Sequence, residues 1–132
     1  MNFERLDHTA VAVHNLDEAI ERYCRLFSMQ LVDRANAPDG TVEVAFLRLD
    51  DTVIELIRPL HADSAVGRFL ERRGEGLHHI AFAVDDISAA LQALGEEGVE
   101  LIDQAPRPGA HGQVAFLHPR GTGGVLVELV MH

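Results

Sequence analysis

The stretch Gly76-Leu-His-His-Ile-Ala-Phe-Ala-Val84 alternates with a period of two, the pattern of a β-strand. One face carries Leu77, His79, Ala81 and Ala83; the other carries Ile80, Phe82 and Val84. The second face is bulky and apolar, suited to packing on helices. The first leaves space beside a histidine, as a strand lining a cavity does. Leu6-Asp-His-Thr-Ala-Val-Ala-Val13 repeats this design, with Leu6, His8, Ala10 and Ala12 on one face and Thr9, Val11 and Val13 on the other. Further on, Val44-Ala-Phe-Leu47 recurs letter for letter as Val114-Ala-Phe-Leu117, and Ile54-Glu-Leu56 returns as Val127-Glu-Leu129. Three matched segments in the same order, at an offset of about 70 residues, mark a duplicated module.

Each copy reads as βαβββ. In the first, a strand over 6–13 leads to a helix that Asn15 can cap, with Glu18 as the return partner and Ala19, Ile20, Tyr23 and Phe27 as the buried stripe. Strands are predicted over 29–34, 42–49 and 52–57, with a turn at Ala37-Pro-Asp-Gly40. The linker 59–75 reads as partly helical, apolar at Ala65, Val66, Phe69 and Leu70 and basic at Arg68, Arg72 and Arg73. In the second copy a strand over 78–84 precedes a helix capped by Asp86, built on Ile87, Ala90, Leu91 and Leu94 and ending near Gly98. Strands follow over 99–103, 114–118 and 125–131, separated by a loop over 106–112 and a Gly-rich turn over 119–124. The predicted fold class is α+β: two tandem βαβββ modules forming a curved mixed sheet around a central metal cavity. The whole is one domain, with module 1 over about 6–58, the helical linker over about 59–75 and module 2 over about 77–131.

The composition narrows the function. With 132 residues, 47% of them hydrophobic, the chain can bury a real core. A net charge of −10 argues against nucleic acid, whose phosphates call for a basic surface. All eleven basic residues are arginine, so Schiff-base chemistry through a lysine is excluded. Cys24 is the only cysteine, so no intrachain disulfide forms and a reducing, cytoplasmic setting is expected. No apolar run approaches the ~20 residues of a membrane helix, and the charged start lacks a signal-peptide core.

Glu55 and Glu128 occupy equivalent points in the last strand of each module, with apolar neighbours on both sides. Burying a carboxylate is costly unless it is paired or coordinated. Two imidazoles, His8 and His79, and two carboxylates in matched repeat positions make a competent set for a divalent cation. Taken singly, each reads more readily as a hydrogen-bonded core histidine or an exposed strand glutamate; the matched placement is what favours a metal site. Ala45 is the small residue of its strand and on this reading lies on the open face, together with Glu43 and Leu47; Ala115 does so with Gln113 and Leu117. His78 points away from His79, and His14, His61 and His132 read as solvent-exposed.

This arrangement resembles the vicinal oxygen chelate superfamily of glyoxalases, extradiol dioxygenases and bleomycin-resistance proteins. Along nearly its whole length the chain is similar to the methylmalonyl-CoA epimerase family within it. The segments that carry the likeness are Leu6-Asp-His8, Asp63-Ser-Ala-Val-Gly-Arg-Phe-Leu70, Arg73-Gly-Glu-Gly-Leu-His-His-Ile-Ala-Phe82, Pro106-Arg-Pro-Gly-Ala-His-Gly112, Phe116-Leu-His-Pro119 and Gly123-Gly-Val-Leu-Val-Glu-Leu129. The resemblance implies a metal-dependent isomerase of propionate metabolism that interconverts (2R)- and (2S)-methylmalonyl-CoA through a metal-stabilised enolate. It implies metal ligation by His8, Glu55, His79 and Glu128, with Co, Mn, Ni, Zn and Mg undistinguished, and a homodimer. Glu43 matches a family position that in some members holds a catalytic base, and Glu128 is its expected counterpart on the other face of the substrate. Ser64, Arg68, Arg107, His111 and His118 are the candidates for binding the acyl-CoA substrate. The alternatives are a glyoxalase-type isomerase acting on a glutathione adduct and a non-catalytic binding protein of the bleomycin-resistance type.

Overall fold

The three helices start where short polar side chains take up otherwise unpaired N–H groups. In the computed structural model, which describes residues 2–132, Asn15 accepts from the Glu18 N–H, Ser64 from Gly67 and Asp86 from Ala89. These caps open α1 (Leu16–Phe27), α2 (Ala65–Arg73) and α3 (Ile87–Glu96). The strands are β1 (Phe3–Ala12), β2 (Gln30–Asn36), β3 (Val42–Leu49), β4 (Thr52–Pro59), β5 (Gly76–Val84), β6 (Arg107–Pro108), β7 (Gln113–Leu117) and β8 (Val127–Met131). The mixed α+β class is as expected.

Contacts divide the chain into two units, one from His8 to His78 and one that joins the segment ending at Asp7 to His79–His132. In the first unit the strand order is β2-β3-β4-β1, with β1 parallel to β4 and the other pairs antiparallel. The second runs β1-β5-β8-β7-β6, with β5 parallel to β8 and β7 antiparallel to both β8 and β6. β1 lends residues to both units.

Each unit packs one sheet face on its helix. In the first, Val11, Val13, Ala45, Leu47 and Leu56 join Leu16 and Ala19 of α1. In the second, Ala115, Leu117, Val127 and Leu129 join Ile87, Ala90 and Leu91 of α3. Burying such aliphatic side chains contributes about 1.5–3 kcal/mol each.

The strand expected over 99–103 does not form. Leu101 makes a single bridge to Leu117, and the short strand beside β7 is Arg107–Pro108, inside the segment expected to be a loop. Val99 and Leu101 are drawn instead into the α3 cluster. The Asp103 carboxylate takes the Phe116 N–H at 2.8 Å, so a side chain stands where a ladder carbonyl would.

Candidate metal centre

Strand register brings each histidine to a glutamate. In the first unit Ala10 lies opposite Glu55 across the parallel β1–β4 ladder. Parity puts His8, Ala10 and Glu55 on one face, opposite to the α1-facing residues. The His8 Nδ1 stands 3.0 Å from Glu55 Oε2, with side chains 3% and 14% exposed. In the second unit Ala81 lies opposite Glu128. There His79 Nε2 is 3.7 Å from Glu128 Oε2, with side chains 6% and 10% exposed. Two histidine–glutamate pairs, His79–Glu128 buried and His8–Glu55 with a buried histidine and a partly buried glutamate, thus occupy equivalent positions in the duplicated strands, each offering one nitrogen and one oxygen donor. A donor set of two imidazoles and two carboxylates suits a divalent cation, and nearly dry carboxylates are costly without a positive partner.

Two phenylalanines complete these faces, and the sequence reading passed over both. Phe46 lies opposite Glu55 on β3, and Phe116 opposite Glu128 on β7. The Phe116 ring meets His79 edge-on, with centroids 5.3 Å apart. Above it sits Arg107, its guanidinium 5.6 Å from the ring centroid and its Nε 3.3 Å from Asp103. The signal was present in the repeat Val-Ala-Phe-Leu: the aromatic residue, not the alanine, shares the ligand face.

That placement corrects Glu43. Ala45 belongs to the α1-packed cluster, so Glu43, two residues away, also points to the helix side, while Val44 and Phe46 face the other way with Glu55. Two arginines hold the Glu43 carboxylate, Arg34 at 3.1 Å and Arg58 at 3.0 Å, and Arg34 bridges on to Asp17 of α1. The hydrogen bond that Arg34 donates to Asp17, followed by the negative charge of Glu43 and the hydrogen bond donated to it, raises the Arg34 pKa above its ordinary value. Glu43 is therefore a structural ion-pair residue, separated from Glu55 by the thickness of the sheet. Ala115 and Leu117 are likewise α3-facing rather than cavity-lining.

The substrate-binding candidates divide. Ser64 is buried as the α2 cap, donating to the His61 carbonyl and accepting from Gly67; it acts on the backbone. Arg68 lies on the exposed side of α2, paired with Asp63 at 3.1 Å. His111 is exposed in the β6–β7 turn. His118 caps the 3-10 turn Pro119–Thr122 through Nδ1 and faces Glu100 at 3.7 Å, part of an outer network with Arg120. Arg107 alone among the five joins the aromatic ring that touches a proposed ligand. Next to His8 in the chain, Asp7 is held by Arg5 at 3.2 Å and by His132 at 2.7 Å, so the terminal histidine has a carboxylate partner.

Duplicated strands, each pairing a buried histidine with a glutamate on the same face, define a class. The chain belongs to the Glyoxalase/Bleomycin resistance protein/Dioxygenase superfamily, whose profile matches residues 7–116. Within it the chain is similar to the ethylmalonyl-CoA/methylmalonyl-CoA epimerase of Cereibacter sphaeroides, at 41% identity over 95% of this chain and 96% of the relative. It is 39% identical to the mitochondrial methylmalonyl-CoA epimerase of Homo sapiens, over 97% of this chain and 74% of the human protein. A variant of the Streptomyces coelicolor methylmalonyl-CoA epimerase, solved with 2-nitronate-propionyl-CoA, superposes with a TM-score of 0.94 at 34% identity, covering 98% of this chain and 95% of that one.

Proposed function

We propose that this chain is a metal-dependent epimerase that interconverts (2R)- and (2S)-methylmalonyl-CoA. The observation that carries the reading is the pairing of the buried His8 with Glu55 and of the buried His79 with Glu128 at matched strand positions. The family and the named epimerase relatives support it. In this reading His8, Glu55, His79 and Glu128 hold one divalent cation. When bound, the cation supplies a Lewis acid that stabilises negative charge developing on a carbonyl oxygen.

The remaining work falls to the chain. The proton to be moved lies on the carbon between a thioester and a carboxylate, so inversion needs a base on one side of that carbon and an acid on the other. Glu128 serves one side. Glu43 is turned to α1, and Asp33, which shares the ligand face opposite Phe46, is exposed, so the largely covered Glu55 beside His8 serves the other. Phe46 and Phe116, each opposite one of these glutamates, keep water from the carboxylates and so from the exposed carbanion charge. A cytoplasmic homodimer completes the reading: the lone Cys24 suits a reducing compartment, and the dimer is what the resemblance to the epimerase family implies. No helix among the described residues is long and apolar enough to cross a membrane.

The test is incubation with one enantiomer of methylmalonyl-CoA in deuterated water. Deuterium should enter C2 as the stereocentre scrambles, stop after chelation and resume when metal is returned. Absence of C2 exchange from metal-loaded protein refutes the reading.

A further inference from the structure

A duplicated ligand set treats its two halves alike, yet a malonyl-type thioester has two unlike ends: a carboxylate and a thioester carbonyl. Fixing its orientation requires a residue present in one module and absent from the other. The register of the outer strands locates such a residue. Val44 and Val114 are equivalent in the repeat; Val44 lies opposite Ala35 on β2, whereas Val114 lies opposite Arg107 on β6. Residues opposite one another in a ladder share a face, so Arg107 lies on the face of Val114, Phe116 and Glu128, and module 1 carries an alanine there.

The surroundings of Arg107 prepare it to meet an anion. The guanidinium is stationed over Phe116, whose edge meets His79, so one aromatic ring separates the cation from a proposed metal ligand. Its side chain is 42% exposed, and Asp103 anchors it through Nε. The other Asp103 oxygen is committed to the Phe116 N–H, which draws off part of that carboxylate's charge. A guanidinium has five donors in a planar fork and can hold more than one carboxylate.

We propose that Arg107 binds the free carboxylate of the acyl group and thereby sets which way round the substrate lies. The claim rests on the epimerase reading above and deepens it. The phosphates of CoA also attract arginine, but they lie at the far end of the pantetheine arm, whereas Arg107 is stationed one ring from His79, where the acyl group would be.

The experiment compares malonyl-CoA, which carries the carboxylate, with propionyl-CoA, which lacks it, by calorimetric titration of metal-loaded protein. Wild-type protein should bind malonyl-CoA more tightly. Arg107→Met, which keeps an apolar stem over Phe116, should weaken malonyl-CoA about ten- to hundredfold and leave propionyl-CoA within about twofold. Arg107→Lys, which retains charge without the fork, should fall between and decides the matter if the methionine variant does not fold. Equal weakening for both thioesters means that the arginine meets the phosphates and overturns the proposal, as does an unchanged preference. Wild-type protein that binds neither thioester overturns the epimerase reading and this proposal with it; retained discrimination in the variants overturns the Arg107 assignment alone.

Discussion

Replacing Glu43 by Gln separates a carboxylate that holds the fold from one that does chemistry. The carboxylate accepts hydrogen bonds from Arg34 and Arg58, each with a side chain 36% exposed, and is itself 20% exposed. Pairs this open to water are screened, and each contributes about 0.2–1 kcal/mol. Glutamine keeps the shape and one acceptor oxygen but loses the charge, so the expected loss is about 1 kcal/mol in total. With a urea slope of about 1–3 kcal/mol/M, the unfolding midpoint should fall by about 0.3–1 M, less at high salt. Metal stoichiometry should not change, and kcat for epimerisation should stay within about threefold of wild type, since the sheet lies between this side chain and the ligand face. The assay pairs urea denaturation with C2 deuterium exchange. A hundredfold loss of exchange at an unchanged midpoint and metal content would refute the parity argument and return Glu43 to the reacting atoms.

Glu128→Gln should do the reverse, reducing C2 exchange by at least about a hundredfold while the apoprotein's midpoint moves little; exchange and chelator-treated unfolding curves check it. Gly67→Ala should destabilise by about 1–3 kcal/mol, read as a lower Tm, because the new Cβ would stand 2.3 Å from the backbone oxygen of Ala62 and α2 cannot shift without its Ser64 cap. His78 gives a pH signature. Burial, with a smaller push from the Arg73 charge, lowers its pKa from 6.5 to about 4. Between those values the unfolded chain binds the extra proton, so stability is full above pH 6.5 and declines as pH falls toward 4, by up to about 3 kcal/mol. Urea midpoints at pH 7.5 and 4.5 measure this, and His78→Phe, which keeps a ring against Phe69, should flatten the difference.

The duplication, the helices capped by Asn15 and Asp86 and the four metal-ligand candidates were legible in the sequence, because each depends on local periodicity or on a repeat at a nearly constant offset; the Ser64 cap was not, its residue being read as a substrate contact. Strand parity alone says which residues share a face, so it linked His8 with Ala10, and Glu43 with Ala45. It does not say which face meets a helix. Ala45 was read as lining open space because it is small; the fold uses that smallness to let α1 approach the sheet. Only the β3–β4 ladder, with Phe46 opposite Glu55, reveals that Glu43 and Glu55 are on opposite sides.

The pairing of imidazole with carboxylate is likewise a matter of register, since β1 and β4 are some forty residues apart in the chain and no local rule sets how two distant strands align. The same is true of Arg107, a loop residue by composition, whose placement over Phe116 follows from two ladder partners and the Asp103 carboxylate. One-dimensional pattern determined what each strand offers. Tertiary structure decided which offers meet, because burial selects one face of a strand over the other only when a helix arrives to cover it.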